Sequence, residues 1–178
     1  AGLSASAALE TSIGLALAAL AGSGDLRPLT VGRAGRGGEH QYVGTLCGIM
    51  DQYASAFGRK GQALFLDCRA LKHEPIPVPL EKYKLLLVNS GVKRKLASSE
   101  YNKRREECTA AVKALKPKFP KVAALRDLLP AQLTQAGALL NDVQKKRVEH
   151  VVSENARVQH AVATLKKGDM PAFGRLLN

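Results

Sequence analysis

Apolar and polar positions alternate along the chain with two periods. Residues 4–21 are rich in Ala and Leu, and Ile13, Leu17 and Leu20 recur at helical spacing. Gly22 and Gly24 follow as stop signals, so a buried helix is predicted there. Asp25-Leu26-Arg27-Pro28 reads as a loop, and Gly32, Gly35, Gly37 and Gly38 weaken any helix over 32–38. Residues 39–58 suggest a helix end, a turn around Gly44 to Gly48 and a short helix from Met50 to Phe57. Two apolar runs of strand length follow, at 62–68 and 84–90. Pro75, Pro77 and Pro79 between them mark an extended edge segment or linker.

From Ser98 the pattern turns helical. Ser98 or Ser99 is a candidate N-cap for a helix running to about Leu115, which Pro117 and Pro120 end. A short helix is expected near 122–129, another over 131–140, and a long one over 142–167. Gly168-Asp169 restarts a last helix. The class is α+β, mixed in its first half and helix-heavy in its second. The prolines divide it into 1–80 and 81–178.

Composition adds limits. The chain has 178 residues, 46% of them hydrophobic but only 4% aromatic, so its core rests on Leu, Ala and Val. Lys and Arg number 27 against 15 Asp and Glu, a net charge of +12. The basic residues are not interleaved with aromatics, which argues against nucleic acid and leaves a phosphorylated substrate as a partner for the positive field. Cys47, Cys68 and Cys108 are odd in number and lack metal-site spacing, so reduced thiols in the cytoplasm are expected. The apolar start lacks a basic flank and Glu10 interrupts it, so neither a signal peptide nor a membrane span is predicted.

Candidate chemistry begins at Gly2-Leu3-Ser4-Ala5-Ser6, which leads straight into the first helix. Free N–H groups at a helix N-terminus and the positive end of its dipole form an anion site. Gly2 permits close approach, and the Ser4 and Ser6 hydroxyls can reach phosphate oxygens or a metal. By itself the loop is equally well a serine cap on an alanine-rich helix. It is not a Walker A loop, because no Gly-Lys-Ser/Thr is present. Glu39-His40 alone would be solvated surface, and Asp51 alone a first-turn charge.

Together these strings resemble the galactokinases of the GHMP kinase family. The Gly-Leu-Ser-x-Ser-Ala loop is similar to the family's phosphate-binding motif, with Ala5 where galactokinases usually have a third serine. Cys47-Gly48-Ile49-Met50-Asp51-Gln52, followed by Asp67-Cys68-Arg69-Ala70-Leu71, is the most specific match. Ser98-Ser99-Glu100-Tyr101-Asn102 is a weaker one.

The resemblance implies the GHMP two-domain fold, a ribosomal-S5-like N-terminal domain and an α+β C-terminal domain, incomplete at both ends. Residues 1–80 would be the later part of the nucleotide-binding domain and 81–178 the earlier part of the second. It implies phosphoryl transfer from ATP to the anomeric hydroxyl of α-D-galactose, in a cytoplasmic monomer. Asp51 would be the catalytic acidic residue, Gly48 and Tyr101 would contact the sugar, Gly2 to Ser6 would bind the nucleotide, and Ser6 with Glu39 would hold Mg²⁺. The family's opening Gly-Arg-x-Asn-x-x-Gly-Glu-His motif and its closing glycine-rich motif are not in these 178 residues. The polypeptide alone is therefore expected to be inactive. Two rival readings stand beside this one: another GHMP sugar kinase, and a non-catalytic galactokinase-like sugar sensor.

Overall fold

A computed structural model describes residues 3–22, 27–89, 91 and 97–177, with the side chains of 97–99 left out. The chain forms two compact units, Ala1–Ser98 and Ser99–Asn178.

The first unit packs three helices and a hairpin. Helix α1 spans Ala5–Leu20, α2 spans Pro28–Gly38 and α3 spans Met50–Phe57. Pro28 opens α2 at the position where a missing N–H costs nothing. The glycines expected to weaken α2 do not break it. Gly32 and Gly35 sit where the helix meets its neighbours: a Cβ on Gly32 would lie 3.5 Å from Cβ of Gln52, and one on Gly35 3.3 Å from Cβ of Glu10. Close packing offsets their low propensity.

Helix α1 is not the buried helix its large residues suggested. Ile13, Leu17 and Leu20 are 50%, 60% and 84% exposed. The packed stripe is instead Ala7, Thr11, Gly14 and Ala18, one helical face of small side chains. Small residues let α1 and α2 approach closely, and the bulky residues of α1 point the other way.

After α2 the chain makes one π-helical turn, Glu39–Val43, which Gly44 ends with φ 76°. Strands β1 (Gln62–Asp67) and β2 (Lys72–Pro77) form an antiparallel hairpin in which Gln62 faces Pro77 and Asp67 faces Lys72. Asp67 Oδ1 accepts from the N–H of Arg69 at 2.9 Å and of Ala70 at 3.3 Å, which folds the turn. Pro75 and Pro77 are tolerated because β2 is an edge. Residues 84–89 do not form the expected second strand. Leu86 and Val88 are 83% and 91% exposed, and among the described residues no neighbouring strand pairs with them. Ser90, the last residue of that run, lies outside the described residues.

The second unit is helical: α4 (Ala97–Leu115), α5 (Leu133–Gly137), α6 (Asp142–Lys166) and α7 (Met170–Leu176). Ala111, Leu115, Phe119, Val122, Leu125, Leu128, Ala136, Leu140, Val148 and Val152 are its core. Arg147 Nε donates to Glu107 Oε2 at 2.6 Å and ties α6 to α4. Asn141 caps α6, its Oδ1 accepting from Gln144 N–H while Gln144 Oε1 accepts in return from Asn141 N–H. The helix expected over 122–129 is only a 3₁₀ turn, Leu125–Asp127. Asp127 Oδ2 holds it by accepting from the N–H of Ala123 and Ala124, each at 2.9 Å. The segment expected to be helical over 131–140 is a 3₁₀ turn, Pro130–Gln132, followed by α5. The side chains of Ser98 and Ser99, the expected caps of α4, lie outside the described residues.

Candidate active site

Three of the motifs lie in the first unit. The loop before α1 brings Leu3 and Ser4 to the surface, and Gly2 lies outside the described residues. Ser4 holds a left-handed conformation, φ 50° and ψ 41°, and its hydroxyl makes no cap bond to the helix. The first intrahelical bond runs from Ala8 N–H to Ser4 O at 3.1 Å. The N–H groups of Ala5, Ser6 and Ala7 therefore precede the helical ladder. A polar residue in a sparsely populated conformation beside open donors is typical of functional loops.

Helices α1 and α2 run antiparallel, and the register can be read from two contacts. A Cβ on Gly14 would lie 2.6 Å from Val31 Cγ1, and one on Gly35 would lie 3.0 Å from Glu10 Oε2. Each step is four residues, one turn up one helix and down the other. The next step pairs the levels of Ser6 and Glu39. Glu39 is buried, and the π turn it opens redirects the chain toward α3. Thr45 N–H donates to Glu39 O at 3.0 Å, and His40 Nε2 donates to Cys47 O at 2.8 Å. These two bonds fold the loop that carries Gly48.

Asp51 lies in the first turn of α3, half-buried, where the helix dipole favours a negative charge. Its neighbour Gln52 is buried between α1 and α2. Tyr53 anchors the other side of α3. Its hydroxyl lies 2.7 Å from His73 Nδ1, and its ring stacks on Phe57 at 4.4 Å. Gly48 is exposed, its φ is not positive, and a Cβ there would meet nothing within 4 Å. Neither packing nor backbone conformation within the chain requires glycine at that point.

Two site-side residues escaped the sequence reading. Glu10 figured there only as an interruption of an apolar run, and Gln52 only as part of a motif. Burial pushes the Glu10 carboxyl above the usual range, and the Glu39 charge pushes it further, against an opposing hydrogen bond from Gln52. Burial likewise raises the Cys47 thiol, aided by Glu39 and opposed by Gln52, its own backbone and Arg36. The signal available in the sequence was a lone carboxylate in an alanine-rich helix four residues after Ser6.

Tyr101 belongs to the second unit, near the start of α4, and is 45% exposed. A cleft of about 390 Å³ in that unit, lined by Cys108, Val112, Leu125 and Val151 among others, contains none of the predicted site residues. Among the described residues no helix is long and apolar enough to cross a membrane.

Comparison with known proteins relates the chain to kinases. The family profile described as the GHMP kinases N terminal domain matches residues 1–59. A galactokinase of Thermotoga neapolitana is 44% identical over 177 residues, covering 99% of this chain and 48% of that protein. A galactokinase of Chloroflexus aurantiacus is 42% identical over 176 residues, covering 99% of this chain and 45% of that protein. The crystal structure of Lactococcus lactis galactokinase complexed with galactose superposes with a TM-score of 0.89 at 33% identity, over 97% of this chain and 44% of that one.

The chain is similar to galactokinases of the GHMP kinase family along almost its whole length. Its fold is the GHMP kinase fold over the region it covers, and it spans about half the length of the curated galactokinases it matches.

Proposed function

We propose that this chain supplies the phosphate loop and the catalytic carboxylate of a galactokinase. The reaction moves the γ-phosphoryl group of ATP to the anomeric hydroxyl of α-D-galactose. The bond from the γ-phosphorus to its bridging oxygen breaks and ADP leaves, while the sugar oxygen bonds to phosphorus. Asp51 takes or orients the hydroxyl proton. The N–H groups of Ala5 and Ser6, with Gly2, Leu3 and Ser4 before them, bind the nucleotide phosphates.

The donor set fits a hard cation. The Ser6 hydroxyl and the Glu39 carboxylate are oxygen ligands of the type Mg²⁺ takes, and the α1–α2 register supports their pairing. Among the described residues no group of three or more His, Cys, Asp or Glu could hold a metal, so water and phosphate would complete the shell. When bound, Mg²⁺ supplies charge neutralisation on the phosphates.

Gly48 brings bare backbone to the sugar, a reading supported by the open space around it. Tyr101 is proposed as a sugar hydrogen-bond partner from its motif alone. Residues 1–80 are proposed as part of the nucleotide-binding domain and 81–178 as part of the second, in a two-domain protein longer than this chain. We also read a monomer in a reducing, cytoplasmic compartment, which suits its free cysteines.

The observation that carries this reading is the three-helix cluster that brings the phosphate loop, Glu39 and Asp51 into one unit. The test is a coupled ADP-release assay on the kinase polypeptide that carries these residues, with ATP, Mg²⁺ and a panel of sugars. Galactose is expected to be phosphorylated best. A clear preference for arabinose or N-acetylgalactosamine would assign another GHMP sugar kinase, and binding without turnover would assign a sensor.

A further inference from the structure

Among the described residues, three buried side-chain oxygens have no hydrogen-bond partner: Glu10 Oε2, Thr11 Oγ1 and Gln52 Oε1. Two of them belong to one pair. The Gln52 amide lies within hydrogen-bonding reach of the Glu10 carboxylate. Both side chains converge on Gly35, whose missing Cβ leaves the room they occupy: Glu10 Oε2 would be 3.0 Å from such an atom and Gln52 Cγ 3.5 Å.

A pair of apolar side chains would fill this junction without unpaired oxygens. Unsatisfied buried polar atoms destabilise a fold, and native proteins carry few of them. Where they persist, a function usually retains them. This pair has the right neighbours for one. Gln52 directly follows Asp51 in the first turn of α3. Glu10 is one turn beyond Ser6 on α1 and feels the charge of Glu39.

We propose that Glu10 and Gln52 are positioning residues, a polar clasp that sets Asp51 against the phosphate loop and Glu39. This rests on the galactokinase reading above. The amide of Gln52 fixes the rotation of the first turn of α3, and with it the direction of the Asp51 carboxylate. Glu10 holds that amide from the helix that carries the phosphate loop. Neither residue touches the reacting atoms.

The test uses the kinase polypeptide that carries these residues, in wild-type form and as Glu10→Ala, Glu10→Gln, Gln52→Ala and Val31→Ala. Val31 packs in the same helix junction but has no polar role, so its truncation controls for lost stability. Melting temperature, kcat, and KM for ATP and galactose are measured for each. Glu10→Ala and Gln52→Ala are expected to lower kcat on the order of 10- to 100-fold, with KM values changed less than about threefold. Val31→Ala, at a similar loss of melting temperature, should keep its kcat. Glu10→Gln retains an acceptor for the Gln52 amide and should recover most of the loss.

If kcat falls in step with melting temperature for all variants, the role is structural and the inference is overturned. Equal damage from Glu10→Gln and Glu10→Ala would overturn it too. A wild type without sugar kinase activity sinks the underlying reading and this one together. An active wild type with an unimpaired Glu10→Ala sinks this one alone.

Discussion

Gly14 of α1 lies so close to Val31 of α2 that a Cβ on the glycine would sit 2.6 Å from Val31 Cγ1. That distance is well inside van der Waals contact. Gly14→Ala therefore forces Val31 or the helix itself to move. Overpacking of this kind should destabilise the chain by about 1–3 kcal/mol, despite alanine's better helix propensity. Urea denaturation followed by circular dichroism would measure it; a stabilised variant would mean that the two helices are further apart than described.

Gly37 is the contrasting case. It lies in α2, and a Cβ there would meet nothing within 4 Å. Gly37→Ala should stabilise the chain by about 0.5–1 kcal/mol, because it only restricts the unfolded chain and improves propensity. The same denaturation experiment reads both glycine variants, and opposite signs are the expected result.

Tyr53 tests the link between α3 and the hairpin. Tyr53→Phe keeps the ring packing on Phe57 and His73 but removes the 2.7 Å contact with His73 Nδ1. The expected loss is about 0.5–1.5 kcal/mol. A change within error would show that the hydroxyl is as well satisfied by water in the unfolded chain.

The three cysteines should react in a definite order. Cys68 is exposed. Cys47 and Cys108 are partly buried, and burial raises both thiols above their ordinary range, outweighing Arg147 beside Cys108. A raised thiol pKa means less thiolate at a given pH, and the thiolate is the reactive form. Iodoacetamide near pH 8 should label Cys68 first, with Cys47 and Cys108 gaining only as pH rises further. Mass spectrometry of a labelling time course would show it, and early labelling of Cys108 would contradict its environment.

Asp51→Ala, in the kinase polypeptide, should lower galactose phosphorylation by more than about 100-fold, the scale of a lost general base. Stability should change by only about 0.3–1 kcal/mol, the worth of a first-turn carboxylate. Retained turnover would remove Asp51 from the mechanism.

Much of the fold was legible because it is local. Gly44, with φ 76°, ends one helix, and Met50 to Phe57 form the next within the expected bounds. Asn141 and Gln144 signal the start of α6 through a cap that needs only four residues. The motif around Asp51 was legible for another reason: a kinase family was matched by its string, not by its geometry.

What the sequence could not decide was which surfaces meet. Hydrophobic size pointed to Ile13, Leu17 and Leu20 as the buried face of α1, yet the fold buries Ala7, Thr11 and Ala18. Two helices gain most contact where their backbones come closest, and only small residues allow that, a preference invisible along a single helix. The strand expected over 84–90 failed for the same nonlocal reason, since a strand exists only with a partner. The residues proposed for the chemistry, Ser6, Glu39 and Asp51, were present in the sequence. The levels of Ser6 and Glu39 along α1 and α2, and the convergence of Glu10 and Gln52 on Gly35, were decided by tertiary packing alone.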